Sequence, residues 1–135
     1  MSAAKEVKQD RLYTKDHEWA LDRNGELVIG ITAFAVDQLG DITLVNLDVK
    51  PGDSIEAHKP FGTIESVKTL SDLYAPVTGK IVRVNPALEE HPELVNDDPW
   101  ESAWMVAIAP TRLADESAEL LAPAAYLAHL EASAH

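Results

Sequence analysis

Apolar and polar positions change rhythm several times along the chain. In "EWALDRNGELVIGI", residues 18 to 31, two apolar runs flank Asn24-Gly25, a dipeptide that accepts the positive φ angles of a tight turn, and the pattern predicts a β-hairpin. Thr32 is placed to cap "AFAVDQL", where Ala33, Val36 and Leu39 recur at helical spacing before Gly40 supplies a stop, so a short helix is expected. From Gly40 to about Pro110 short β-branched runs such as "ITLV" and "KIVRV" are broken by "KPGD", "HKP", "APVTG" and "DDP", which reads as an all-β body. Beyond Thr111 the chain turns to Ala, Leu and Glu, and two short helices are expected with Pro123 in a first turn. Leu120, Leu121, Tyr126, Leu127 and Leu130 are expected to pack on the body, and the last few residues to fray.

The β body resembles itself at an offset of 39: Gly40, Ile42, Val45, Ile55, Pro60 and Phe61 match Gly79, Ile81, Val84, Leu94, Pro99 and Trp100. Two copies are too few for a solenoid. They suit a pseudo-symmetric, mainly β sandwich or flattened barrel in which each half supplies strands to both sheets.

The length of 135 residues holds one domain with a real core. No apolar run approaches the ~20 residues of a membrane span, and "MSAAKEVKQDRLYT" lacks both a signal-like apolar core and an Arg-rich transit pattern. A cytoplasmic protein is expected. The absence of cysteine rules out disulfides, thiolate metal sites and thiol nucleophiles. A formal charge of −12 opposes nucleic-acid binding; it serves solubility or steers the chain toward basic patches on partner proteins.

Candidate chemistry centres on Lys68, within "GTIESVKTLSDLYAPVTG". A Schiff-base lysine needs an apolar pocket or a neighbouring cation, whereas Glu65 and Asp72 flank this one. The glycines of a phosphate-binding loop are missing. His17, His58, His91, His129 and His135 show no paired metal spacing, "EEHPE" reads as a solvated loop, and no nucleophile elbow surrounds Ser66 or Ser71. Trp19, Trp100 and Trp104 read as core or half-buried side chains. On the residues alone Lys68 is either a solvated turn residue or an exposed modification point at a hairpin tip between the two halves.

The stretches "YTKDHEW", "GITAFAVDQLGDI", "PFGTIESVKTLSDLYAPVTGKIVRVN" and "PELVNDDPW" together resemble the glycine cleavage H-protein family, from about Tyr13 to Tyr126. Small departures, "DVKPGD" and "ESAW", touch loops. The resemblance implies a hammerhead-type lipoyl domain with an N-terminal hairpin, a short helix and C-terminal helices. It spans residues 13–131 (13–39 hairpin and helix, 40–110 β body, 111–131 helices), between a flexible 1–12 and a flexible 132–135. It implies lipoic acid in amide linkage on Lys68, with Glu65 and Gly79 recognised during lipoylation, and Glu18 and Asp72 as candidates for holding the loaded arm. The implied partners are a pyridoxal-phosphate-dependent glycine decarboxylase, a tetrahydrofolate-dependent aminomethyltransferase, an FAD-dependent dihydrolipoyl dehydrogenase and a lipoate-attaching enzyme. The chain itself is expected to be a monomeric carrier that catalyses nothing. A biotin carrier is disfavoured because Val67 and Thr69, not methionines, flank the lysine, and a 2-oxoacid dehydrogenase lipoyl domain would carry Asp-Lys-Ala there. A relay supplying lipoate to other complexes is the alternative role.

Overall fold

The computed structural model describes residues 7–133, without the side chain of residue 133. Two antiparallel sheets make up its body. Strands β1 (Leu12–Tyr13), β2 (Glu18–Arg23) and β3 (Glu26–Ile31) lie on one side of a six-stranded sheet. Strands β9 (Val106–Pro110), β8 (Gly79–Val84) and β5 (Ser54–Ile55) complete it in the order β1-β2-β3-β9-β8-β5. The second sheet is β4-β6-β7, from Ile42–Leu47, Pro60–Ser66 and Leu70–Tyr74.

The local signals act as their chemistry dictates. Asn24 and Gly25 turn the β2–β3 hairpin with φ of 56° and 88°, and the Gly25 N–H donates to Asp22. Helix α1 (Ala33–Leu39) begins where the Thr32 hydroxyl accepts the Ala35 N–H and ends at Gly40, whose φ of 81° suits a residue without Cβ.

Strands β2 and β3 are buried almost throughout because both their faces are covered. Ala20, Leu27, Ile29 and Ile31 face a core shared with the second sheet, together with Phe61, Ile64 and Ile108. Trp19, Leu21 and Val28 face a second cluster with Tyr13, Trp100, Tyr126 and Leu130. Each fully buried aliphatic side chain contributes ~1.5–3 kcal/mol, so the second cluster is a substantial reason for the terminal segments to dock. Tyr13 stacks on Tyr126 at 4.5 Å, and Tyr13 and Leu121 exchange backbone hydrogen bonds. The packed body reaches back to Arg11, buried with its guanidinium over the Trp19 ring and donating to the Trp100 carbonyl.

Three expectations are corrected. The body is not all-β: α2 (Ala87–Glu90) and α3 (Leu94–Asp97) interrupt it, anchored by the fully buried Leu88 and Val95. With them the ungapped repeat lapses. Gly40–Val45 and Gly79–Val84 lead into and along matching strands, but Ile55 lies in β5 and Leu94 in α3, and Phe61 lies in β6 while Trp100 lies in a turn before β9. The second half therefore supplies strands only to the six-stranded sheet. Finally, Leu127 is exposed, whereas Tyr126 and Leu130 are the fully buried residues of the last helix, α5 (Pro123–Ser133). That helix follows a short α4 (Leu113–Glu116) and a 3-10 turn, Ser117–Glu119. The frayed end expected beyond it lies outside the described residues.

Candidate functional site

Strands β6 and β7 form a hairpin whose turn is closed by the Ser66 N–H donating to the Thr69 carbonyl at 2.8 Å. Two-residue turns favour positive φ, yet neither Val67 nor Lys68 has it. The Ser66 hydroxyl compensates by accepting the N–H groups of Lys68 and Thr69, at 3.1 and 3.2 Å. Lys68 stands exposed at this tip between the exposed apolar side chains of Val67 and Leu70. Among the described residues nothing hydrogen-bonds or ion-pairs with its ammonium. The tip is tied to the corner between α1 and β4, where the Val67 N–H donates to the Asp41 carbonyl at 3.0 Å and the Lys68 stem lies over Gly40.

A cleft of about 680 Å³ begins beside the hairpin. It runs between β7, an edge strand of its sheet, and a wall made by α1 and the β1–β2 turn. Phe34, Leu39, Ile64 and Leu73 give it apolar sides; Lys15, Asp16 and Asp72 line it too. Glu18 borders both this cleft and a smaller hollow of about 460 Å³ beyond it.

Glu18 is only 3 % exposed. Its Oε1 accepts the Thr14 hydroxyl at 2.9 Å and its Oε2 accepts the Tyr74 N–H at 3.1 Å. The Thr14 oxygen in turn accepts the Glu18 N–H at 3.1 Å, which leaves its hydroxyl hydrogen free for the carboxyl group. These donors favour the ionised form, but burial outweighs them and pushes the Glu18 carboxyl up to about 8. In the free protein this acid is therefore largely protonated at neutral pH, and a cation entering the cleft would favour its ionisation.

The wall is braced from the far end of the chain. The Tyr126 hydroxyl lies 2.8 Å from the Thr32 hydroxyl, which caps α1, and 2.9 Å from Nδ1 of His17 in the β1–β2 turn. His17 has a φ of 71° and packs on Phe34; burial, then the neighbouring His129, lowers its pKa below the ordinary imidazole value. Burial raises that of Tyr126, whose hydroxyl keeps its proton. No group of three or more His, Asp or Glu side chains among the described residues is arranged to hold a metal ion.

The profile of the family described as "Glycine cleavage H-protein" matches residues 11–133. The chain belongs to the glycine cleavage H-protein family. It is 50% identical over 123 residues to the glycine cleavage system H protein of Oceanobacillus iheyensis, covering 91% of this chain and 96% of that one. With that of Rubrobacter xylanophilus it shares 46% over 126 residues, 93% and 96% of the two chains. Its fold superposes on the crystal structure of a glycine cleavage system H protein from Mycobacterium marinum with a TM-score of 0.84 and 36% identity, covering 93% of this chain and 99% of that one.

Family membership directs attention to the residues the resemblance singled out. Lys68 and Glu65 share one hairpin, and Glu65 pairs with Leu70 and Leu44 across the strands. Glu18 and Asp72 line one cleft but differ in kind: Glu18 is buried, while Asp72 is exposed and accepts a long 3.5 Å bond from the Tyr74 hydroxyl. Gly79 lies apart, in β8 of the other sheet, where a Cβ would collide with the Ala109 carbonyl oxygen. Sequence reasoning did not find the bracing roles of His17, Thr32 and Tyr126, although "DHEW" contains His17.

Proposed function

We propose that Lys68 is the attachment point of a lipoyl group and that this chain is the carrier of the glycine cleavage system. The observation that carries the reading is the pairing of an unengaged, exposed lysine at the hairpin tip with a cleft that leads along β7 to the buried Glu18. These residues fit the group: the lysine is accessible to an attaching enzyme, and the cleft is apolar along its sides and acidic at its end. When attached, the lipoyl group supplies a dithiolane able to take up the aminomethyl group of glycine, hand it on and be reoxidised.

The chain's own residues do the rest. Glu65 presents the hairpin to the attaching enzyme, and Gly79 acts there only by allowing β8 and β9 to close. In the cleft Glu18 meets a cationic amine: its proton leaves to water and the carboxylate, held by Thr14 and the Tyr74 N–H, pairs with the cation. Asp72 adds negative charge at the rim, and Phe34, Leu39 and Ile64 exclude water. Residues 13–131, with Arg11 and Leu12 packed against them, work as one carrier domain, a cytoplasmic monomer without catalysis of its own. Its partners are the pyridoxal-phosphate decarboxylase, the folate-dependent aminomethyltransferase, the flavin-dependent dihydrolipoyl dehydrogenase and the lipoate-attaching enzyme.

Intact mass after incubation with a lipoate ligase, lipoate and ATP tests the assignment. The wild type gains one lipoyl group and Lys68→Arg gains none; a modified variant would overturn the reading.

A further inference from the structure

The stretch "PELVNDDPW" has no part in the site described so far. Its Asn96, half-buried in α3, reaches across to the corner between α1 and β4. There Nδ2 donates to the Gly40 carbonyl at 3.0 Å and Oδ1 accepts the Ile42 N–H at 2.9 Å. Those two backbone groups flank Asp41, whose own carbonyl accepts the Val67 N–H at the hairpin tip. The register between β4 and β6 shifts just here, between Ile42 and Leu44, so regular strand pairing does not secure the corner. The Asn96 carboxamide, with one donor and one acceptor in fixed relation, takes its place.

The lysine's stem depends on the same corner. A Cβ built on Gly40 would stand 3.4 Å from Cε of Lys68, so the side chain lies directly over that glycine. Ser66 shapes the turn from within the hairpin; the Val67–Asp41 bond and the Lys68–Gly40 contact are what orient the tip against the body. Gln38 and Leu39, next in the chain before Gly40, line the cleft. The corner on which the tip rests therefore continues directly into the cleft wall.

We propose that Asn96 is a positioning residue for the carrier arm: it fixes the Gly40–Ile42 corner and thereby the direction in which Lys68 leaves the protein. The proposal rests on Lys68 being the lipoyl acceptor. Without Asn96 the hairpin still forms, but its tip takes several orientations, of which a fraction suit an enzyme that must thread the lysine into its active site. An apparent dissociation constant scales inversely with the competent fraction, so a drop to a tenth raises the apparent KM about tenfold with kcat unchanged.

The test is steady-state lipoylation of the full-length chain by a lipoate ligase, followed by intact mass, at a temperature where every variant is folded by circular dichroism. Asn96→Ala is expected to raise KM for the carrier about tenfold at unchanged kcat. Asn96→Asp leaves no cavity and sets an oxygen against the Gly40 carbonyl; it is expected to do the same and serves if the alanine variant does not fold. Asn85→Ala is the control. Asn85 holds the same α2–α3 segment, through the Ser102 and Trp104 carbonyls and the Ala87 N–H, without touching the corner, so KM should stay at the wild-type value despite lost stability. Wild-type KM in both Asn96 variants, or an equal rise in Asn85→Ala, overturns the positioning role. Failure of the wild type to be modified at Lys68 overturns instead the reading of the lysine on which it stands.

Discussion

The side chain of Glu18 accepts the backbone N–H of Tyr74 at 3.1 Å, joining the start of β2 to the otherwise free edge of β7. One carboxyl group thereby ends the cleft, fills a hydrogen-bonding position on a strand edge and remains able to answer a cation. The burial that makes it useful also makes it the costly acid of the molecule.

Glu18 and Asp72 should contribute unequally to retention of a loaded arm. A buried charge-assisted hydrogen bond contributes ~1.5–3 kcal/mol, or roughly ten- to hundredfold in rate, whereas an exposed ionic contact contributes ~0–1 kcal/mol. Glu18→Gln is expected to speed hydrolysis of the loaded arm, in which water releases the aminomethyl group as ammonia and formaldehyde and leaves a free thiol, by at least about tenfold, and Asp72→Asn by less than about fivefold, on those magnitudes. Equal effects, measured on folded and fully lipoylated variants, would contradict the division.

The buried acid also predicts a pH dependence of stability. Between its unperturbed value of 4.5 and its folded value of about 8, the unfolded chain has lost the Glu18 proton while the folded protein keeps it. Stability from this group is complete below about 4.5 and is lost as pH rises toward 8, by up to about 1.4 kcal/mol per pH unit. His17 works in the opposite direction, since its lowered folded pKa removes stability as pH falls below the ordinary imidazole value. Asp10 and Asp98, both lowered, act only in the acid range below their ordinary carboxylate values. The difference in melting temperature between wild type and Glu18→Gln isolates the Glu18 contribution: the variant should gain steadily on the wild type from pH 5 to 8. A constant difference would mean that Glu18 is ionised throughout.

Docking onto partner enzymes should weaken with salt. The charge of −12 attracts basic patches, and screening shortens from ~10 Å at 0.1 M to ~3 Å at 1 M. Titrating the decarboxylase with the carrier at rising ionic strength should show apparent affinity falling; an unchanged affinity would leave the charge to solubility alone.

Gly79→Ala should act on folding rather than on recognition. Its methyl group would meet the backbone oxygen of Ala109, which β-sheet pairing prevents from moving aside, and overpacking of this kind costs ~1–3 kcal/mol or more. Denaturant titration should report that loss, while the fraction that remains folded should be lipoylated at the wild-type rate. A selective loss of lipoylation without destabilisation would give Gly79 a direct part in recognition.

Legibility in the sequence followed how locally each feature is determined. Asn24-Gly25, Thr32 and Gly40 specify their turn and caps through their own chemistry, so hairpin and helix were readable. Helices α2 and α3, of four residues each, are too short to show a period, and the buried Leu88 and Val95 that hold them gain meaning only in three dimensions. The matched pairs at Pro60-Phe61 and Pro99-Trp100 misled because similar residues were placed in a strand and in a turn. For the site, the motif around Lys68 was explicit. The burial of Glu18 was not, since its side chain is covered from the other sheet, at Tyr74 of β7, more than fifty residues away along the chain. Leu127 shows the same limit from the other side: helical spacing cannot rank neighbouring apolar residues when the surface they dock on is unknown.

The brace supplied by Tyr126 has a bearing on how the molecule comes into being. Every contact that shapes the lysine-bearing tip, from Gly40 to Asn96, lies in chain that leaves the ribosome before Tyr126 does. The hydroxyl that ties Thr32 to His17 arrives later, with α5. A nascent or truncated chain ending short of α5 would carry the residues that shape the tip but lack the tie that steadies the cleft wall. Synthesis thus runs in the order of use, with the handle made before its shelter.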